Sequence, residues 1–197
     1  MTDLIFILDR SGSMKKQAKT TIKEYNSYIE NMEGENIKVT TVLFDDEYEM
    51  ITRRKDVDEV KKLTKEIYYP RGCTALYDAI GKTIKYMDEE ETQKVIFIII
   101  TDGLENCSIR YSKDKIKSMI YRHSNWEFIY LGADIDSFNE GTNIGIDEKN
   151  ISNFGKENKG THNLFESIKK AVDMFCEDAF VSKDWKDDLE EYNENNS

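Results

Sequence analysis

Apolar residues run unbroken in two places, Leu4 to Leu8 (LIFIL) and Val95 to Ile100 (VIFIII). Both runs are β-branched or aromatic in character, and both stop at an aspartate motif. Runs of this length and kind predict strands buried on both faces, as in a parallel sheet covered by helices. WEFIYLG, Trp126 to Gly132, is a weaker third example. NIKVTTVLF (Asn36 to Phe44) and EYEMIT (Glu47 to Thr52) flank the acidic turn Asp45-Asp46 and predict a hairpin, hence one antiparallel edge strand. Between these segments the apolar period changes to three or four. Met14, Ala18, Ile22, Tyr25, Ile29 and Met32 form one helical stripe, and Leu76, Ile80, Ile84 and Met87 form another. Ile116, Met119, Ile120 and His123 form a shorter stripe, and Leu164, Ile168, Val172 and Phe175 the last. His123 reads as a core-edge histidine, since no His or Cys partner lies near it in sequence. Strands alternating with helices predict an α/β fold built on a mainly parallel sheet.

The length, 197 residues, suits one domain, expected over residues 1–182. KDWKDDLEEYNENNS carries six acidic residues against two lysines, and residues 183–197 are expected to form a flexible acidic tail. The net charge of −11 argues against nucleic acid or an anionic membrane as partner. No stretch approaches membrane-spanning length, and MTDLIFILDR lacks the basic region of a signal peptide. A cytoplasmic location is expected. Cys73, Cys107 and Cys176 are odd in number and widely spaced, so three reduced thiols are expected. The Lys-, Asn- and Ile-rich composition, with Pro70 the sole proline, hints at an AT-rich bacterial or phage genome.

The aspartates that end the two apolar runs carry the chemistry. In an open α/β sheet, ligands bind beyond the carboxyl ends of the strands, where strand order reverses. Asp9 and Asp102 stand at two such ends; if the strands are neighbours, their carboxylates meet. Ser11 and Ser13 follow Asp9, and Thr74 opens a helix after a long loop. Two carboxylates and three hydroxyls, without imidazole or thiolate, suit a hard cation, with Mg2+ or Mn2+ favoured over Ca2+ and Zn2+. Each group also has a plainer use: Thr74 as a helix N-cap, the serines and Asp102-Gly103 as turn residues.

Taken together, D-R-S-G-S at Asp9 to Ser13, Thr74 in G-C-T, and T-D-G at Thr101 to Gly103 resemble the von Willebrand factor type A (VWA) domain and its metal-ion-dependent adhesion site (MIDAS). The resemblance spans roughly residues 2 to 180. It implies a Rossmann-like sheet with helices on both faces and one antiparallel edge strand. It further implies that Ser11 and Ser13 bind the cation directly, Asp9 and Asp102 directly or through water, and Thr74 in either way. A partner protein's Asp or Glu would fill the open position, in a binding module that is not an enzyme. Arg10, at a variable motif position, is expected to face solvent or partner, and Asp78 to be a capping or packing acid. Tyr68, Tyr69, Arg71, Glu105 and Asn106 are expected to rim the site.

Other functions fit less well. A haloacid-dehalogenase-type phosphotransferase or hydrolase needs a second Asp where Ser11 stands. A serine hydrolase needs G-x-S-x-G and a His, whereas this chain has R-S-G-S and only His123 and His162. An adaptor beside an ATPase, or a part of a stress or defence system, would keep the fold. The chain has no G-x-x-x-x-G-K loop with which to supply the energy.

Overall fold

The computed structural model describes residues 1–32, 34–133 and 135–195. Six strands form one sheet: β1 (Thr2–Asp9), β2 (Ile37–Phe44), β3 (Tyr48–Asp56), β4 (Lys94–Thr101), β5 (Glu127–Gly132) and β6 (Ile151–Asn153), in the order β3-β2-β1-β4-β5-β6. β1 runs parallel to both β2 and β4, and β5 and β6 continue the parallel set. Only β3 is antiparallel, paired with β2 at the edge. Strand order reverses between β1 and β4, so the crevice for a ligand opens there.

The apolar runs are explained by burial on both faces. In β1, Leu4, Phe6 and Leu8 point into one core and Ile5 and Ile7 into the other. In β4, Ile96, Ile98 and Ile100 share the first core, and Val95, Phe97 and Ile99 the second. Helices α1 (Ala18–Glu30) and α5 (Asn158–Asp178) cover the first face with Tyr25, Tyr28, Ile29, Leu164, Ile168 and Val172. Helices α2 (Leu76–Met87) and α3 (Lys113–Arg122) cover the second with Leu76, Ile80, Ile84, Ile116 and Met119. A short polar helix, α4 (Ser137–Asn143), precedes β6. No helix among the described residues is long and apolar enough to cross a membrane.

The carboxyl-terminal segment departs from the expected flexible tail. Residues Lys183–Lys186 form a 3-10 turn, followed by helix α6 (Asp187–Asn195). Trp185 and Leu189, four apart, are fully buried in the first core. The Trp185 indole donates to the Lys149 carbonyl at 2.9 Å. Lys186 Nζ donates to the Ile151 carbonyl at 2.7 Å, and Asn193 Nδ2 to the Asn153 carbonyl at 2.7 Å. The segment thus covers the open edge at β6, whose backbone would otherwise be left unpaired. Two well-placed apolar side chains outweigh an acidic composition because the acids face water.

Candidate metal centre

Asp9 and Thr101 are the last residues of β1 and β4, and the register Leu8↔Ile100 sets them side by side. Asp9 is fully buried. Its Oδ1 accepts from the Ser11 backbone N–H at 2.6 Å, and its Oδ2 accepts from the Thr101 hydroxyl at 2.6 Å. Burial pushes its carboxyl up from 3.8 to about 6, against the lowering effect of these hydrogen bonds; the neighbouring charge of Asp102 adds to the rise.

The serines and Asp102 are joined directly. Ser13 Oγ donates to Asp102 Oδ1. Because that hydroxyl has spent its proton, it accepts from Ser11 Oγ, 2.9 Å away. Gly12 to Lys16 form a 3-10 turn leading into α1, which holds the two serines against the strand ends. Thr74 reaches the same place from the loop before α2. A Cβ on Gly103 would lie 2.7 Å from Thr74 Oγ1, too close for both, and 3.6 Å from Ser13 Oγ, an ordinary contact, so glycine here leaves room for the Thr74 hydroxyl. Thr74 does not cap α2, whose N-cap position is Ala75, and its hydroxyl is left for the site. The structure therefore gathers Asp9, Ser11, Ser13, Thr74 and Asp102 at the switch point. Among the described residues there is no group of three or more His, Cys, Asp or Glu side chains that could hold a metal; this cluster has two carboxylates and three hydroxyls.

The loop carrying Thr74 is strapped to β1. Arg71 N–H donates to the Arg10 carbonyl at 2.9 Å, Gly12 N–H to the Gly72 carbonyl at 3.3 Å, and the Tyr68 hydroxyl to the Asp9 carbonyl. Gly72 has φ +63, and a Cβ there would lie 1.8 Å from Asp46 Oδ1, so this turn requires glycine. On the other side, Asn106 Oδ1 accepts from Thr74 N–H at 2.9 Å and the Asn106 N–H donates to the Thr74 carbonyl at 3.1 Å. Glu105 accepts from the Tyr77, Cys107 and Ser108 N–H groups, and Asp78 from Ile109, Arg110 and Tyr111. Of the two expected uses of Asp78, packing is the one observed: it ties the loop before α3 to α2 and caps neither helix. Of the five expected rim residues, Tyr68, Glu105 and Asn106 hold the loops in place, and Tyr69 and Arg71 reach the surface.

Two expectations are corrected. Arg10 does not face solvent: it is fully buried, donating from Nε to Asp45 Oδ2 at 2.9 Å and from Nη1 to Glu49 Oε2 at 2.7 Å. The acidic hairpin turn after β2 gathers this guanidinium and that of Arg71, whose Nε also donates to Asp45 at 2.9 Å. Nor are all three thiols reduced. Cys73 and Cys107 form a disulfide, with Cα atoms 6.3 Å apart, and Cys176 is the free, half-buried thiol. Composition could not show that the Thr74 and Asp102 loops lie face to face. The bond ties them one residue from Thr74 and five from Asp102.

Two further residues touch the site. Gln17 Nε2 donates to Asp102 Oδ2 at 3.2 Å, and Lys156 Nζ, from the loop between β6 and α5, lies 3.2 Å from the same oxygen. Gln17 follows the motif by four residues, at the junction of the 3-10 turn and α1, which brings it beside Asp102. Lys156 carries no signal in sequence, being far from every motif residue.

A family model described as von Willebrand factor type A domain matches residues 3–166. Among solved structures, proximal thread matrix protein 1 from the mussel byssus is similar with a TM-score of 0.65 and 17% identity; the match covers 85% of this chain and 44% of that one. This chain therefore spans less than half the length of the byssus protein. A form of the same protein with a zinc-occupied MIDAS motif gives a TM-score of 0.64 at 18% identity, covering 85% of this chain and 44% of that one. The vWF domain of the type V pili tip protein Mfa5 from Porphyromonas gingivalis gives 0.64 at 12% identity, covering 85% of this chain and 95% of that domain. No curated protein sequence is a significant match. Identities this low show the fold alone. The family match extends over most of the chain and agrees with the sheet order and the gathered motif residues: the chain belongs to the von Willebrand factor type A domain family.

Proposed function

We propose that the chain is a metal-dependent protein-interaction module, in which Asp9, Ser11, Ser13, Thr74 and Asp102 hold one Mg2+ or Mn2+ and a partner protein's Asp or Glu binds through that ion. The observation that carries this reading is the convergence of three hydroxyls and two carboxylates from three separate segments onto one point. The residues fit such an ion. All the donors are oxygen, which suits a hard cation. The space above Gly103 is kept clear for the Thr74 hydroxyl. Asp9 and Asp102 are both buried and close together; Lys156 offsets one of these charges, and a divalent ion would meet both.

A bound divalent ion supplies Lewis acidity and an attachment point for an anionic side chain. The chain's own groups do the rest. Thr101 and the Ser11 N–H orient Asp9, Gln17 orients Asp102, and the disulfide and the Asn106 pair fix Thr74. The zinc-occupied MIDAS of the byssus protein supports the same use of the fold here. The test is affinity capture on immobilised protein. Binding proteins should be retained in Mg2+, be released by EDTA, and be absent from an Asp102→Ala column. Identical retention by wild type and variant, with and without EDTA, would overturn the reading.

A further inference from the structure

We propose that Lys156 sets the charge of the metal centre, lowering its affinity for the divalent ion and raising its affinity for the partner's carboxylate. The inference rests on the metal-dependent reading above. Lys156 Nζ lies 3.2 Å from Asp102 Oδ2, while Asp102 Oδ1 faces Ser13. The lysine side chain is 29% exposed and the Asp102 side chain is fully buried, so the ammonium stands between a sunken carboxylate and the solvent. Gln17, the other donor to that oxygen, is neutral and buried.

The charge count gives this placement a consequence. Asp9 and Asp102 together carry two negative charges, which one divalent ion cancels. The open coordination position binds a carboxylate, and in a chain of net charge −11 an added positive charge beside the ion strengthens that hold. Lys156 adds one positive charge beside Asp102 and so makes the loaded centre more positive by one than it is without the lysine. The same charge acts against the ion, because an ammonium already paired with Asp102 repels a second cation nearby. Removing it therefore has effects of opposite sign on ion and carboxylate. A residue that merely packs the loop would not produce this split.

The test uses Mn2+ alone and then fluoroacetate as a small carboxylate probe. Wild type, Lys156→Gln and Lys156→Arg are titrated with Mn2+, and the fluorine relaxation of fluoroacetate is read at equal bound Mn2+. Lys156→Gln should bind Mn2+ about fivefold more tightly, the scale of a partly exposed ion pair. It should also relax fluoroacetate at least about twofold less than wild type does. Lys156→Arg keeps the charge and should match wild type in both. Equal Mn2+ affinity and equal relaxation in all three proteins would overturn the role of Lys156 and leave the metal reading standing. Absence of Mn2+ binding in all three would overturn the metal reading itself.

Discussion

Asp9→Asn is expected to stabilise the metal-free protein, and to do so increasingly as pH rises. Asp9 is fully buried and its carboxyl is raised from 3.8 to about 6, chiefly by desolvation. The folded state therefore binds this proton more tightly than the unfolded state. Below about pH 4 the group is protonated in both states and has no effect on stability. As pH climbs through about 6 the folded state must hold a buried anion, and stability is lost. At 1.36 kcal/mol per pH unit, the interval from 3.8 to about 6 corresponds to about 3 kcal/mol at neutral pH. Asparagine is nearly the same shape. Its oxygen can still accept from the Ser11 N–H, and its amide can donate to Thr101 Oγ1. In a chain of this size the gain amounts to roughly 6–12 °C in melting temperature. The assay is urea unfolding of wild type and variant in EDTA at several pH values, because other titrating groups cancel in the difference. The stability difference should be near its minimum at about pH 4 and grow to about 3 kcal/mol at about pH 7. A difference that stays flat across this range, or a variant less stable than wild type at neutral pH, would refute the reasoning. With Mg2+ at a hundred times the dissociation constant, wild type should regain about 2.7 kcal/mol and the variant nothing.

Gly103→Ala should leave the fold intact but crowd Thr74 Oγ1, 2.7 Å from the new Cβ. Metal affinity measured by calorimetry should fall about tenfold or more, as when an outer contact of a metal site is lost. The paired change Cys73→Ser and Cys107→Ser should cost up to about 4 kcal/mol in urea unfolding, the chain-entropy value for a loop of this length. Equal stability with and without a reductant would show that the bond between the two loops does not form in solution. Trp185→Ala should cost about 3–5 kcal/mol, since the indole is fully buried in the first core. An unchanged melting temperature would mean that the segment from Lys183 onward does not dock.

Much of this arrangement is legible in the sequence, for physical reasons. A strand covered on both faces must be apolar at every position, so LIFIL and VIFIII stand out, and so do the aspartates that end them. The strong helices show because one stripe must face the sheet, as Leu76, Ile80 and Ile84 do. Short elements leave no such trace: β6 is three residues long, and α4 buries only Ser137 and Gly141. Arg10 eluded the reading because its partners, Asp45 and Glu49, come from a hairpin that only the folded sheet brings near. The disulfide spans 34 positions and depends on two loops meeting over the switch point. Lys156 depends on a third loop for which no spacing rule exists. Of the five proposed ligands, Asp9, Ser11, Ser13 and Asp102 could be read because they follow strand ends, and Thr74 because it opens a helix, whereas their supporting contacts depend on tertiary structure.

The central claim is that these five residues bind one divalent cation, and direct titration tests it. Mn2+ is added to the protein in stoichiometric steps while the free-ion paramagnetic resonance signal is followed, for wild type and for Asp102→Ala, with near-ultraviolet circular dichroism confirming that both are folded. The account predicts one bound Mn2+ per wild-type chain, displaced by excess Mg2+ and absent from Asp102→Ala. A wild-type protein that leaves all the Mn2+ free, or a folded variant that binds it as wild type does, would contradict the account.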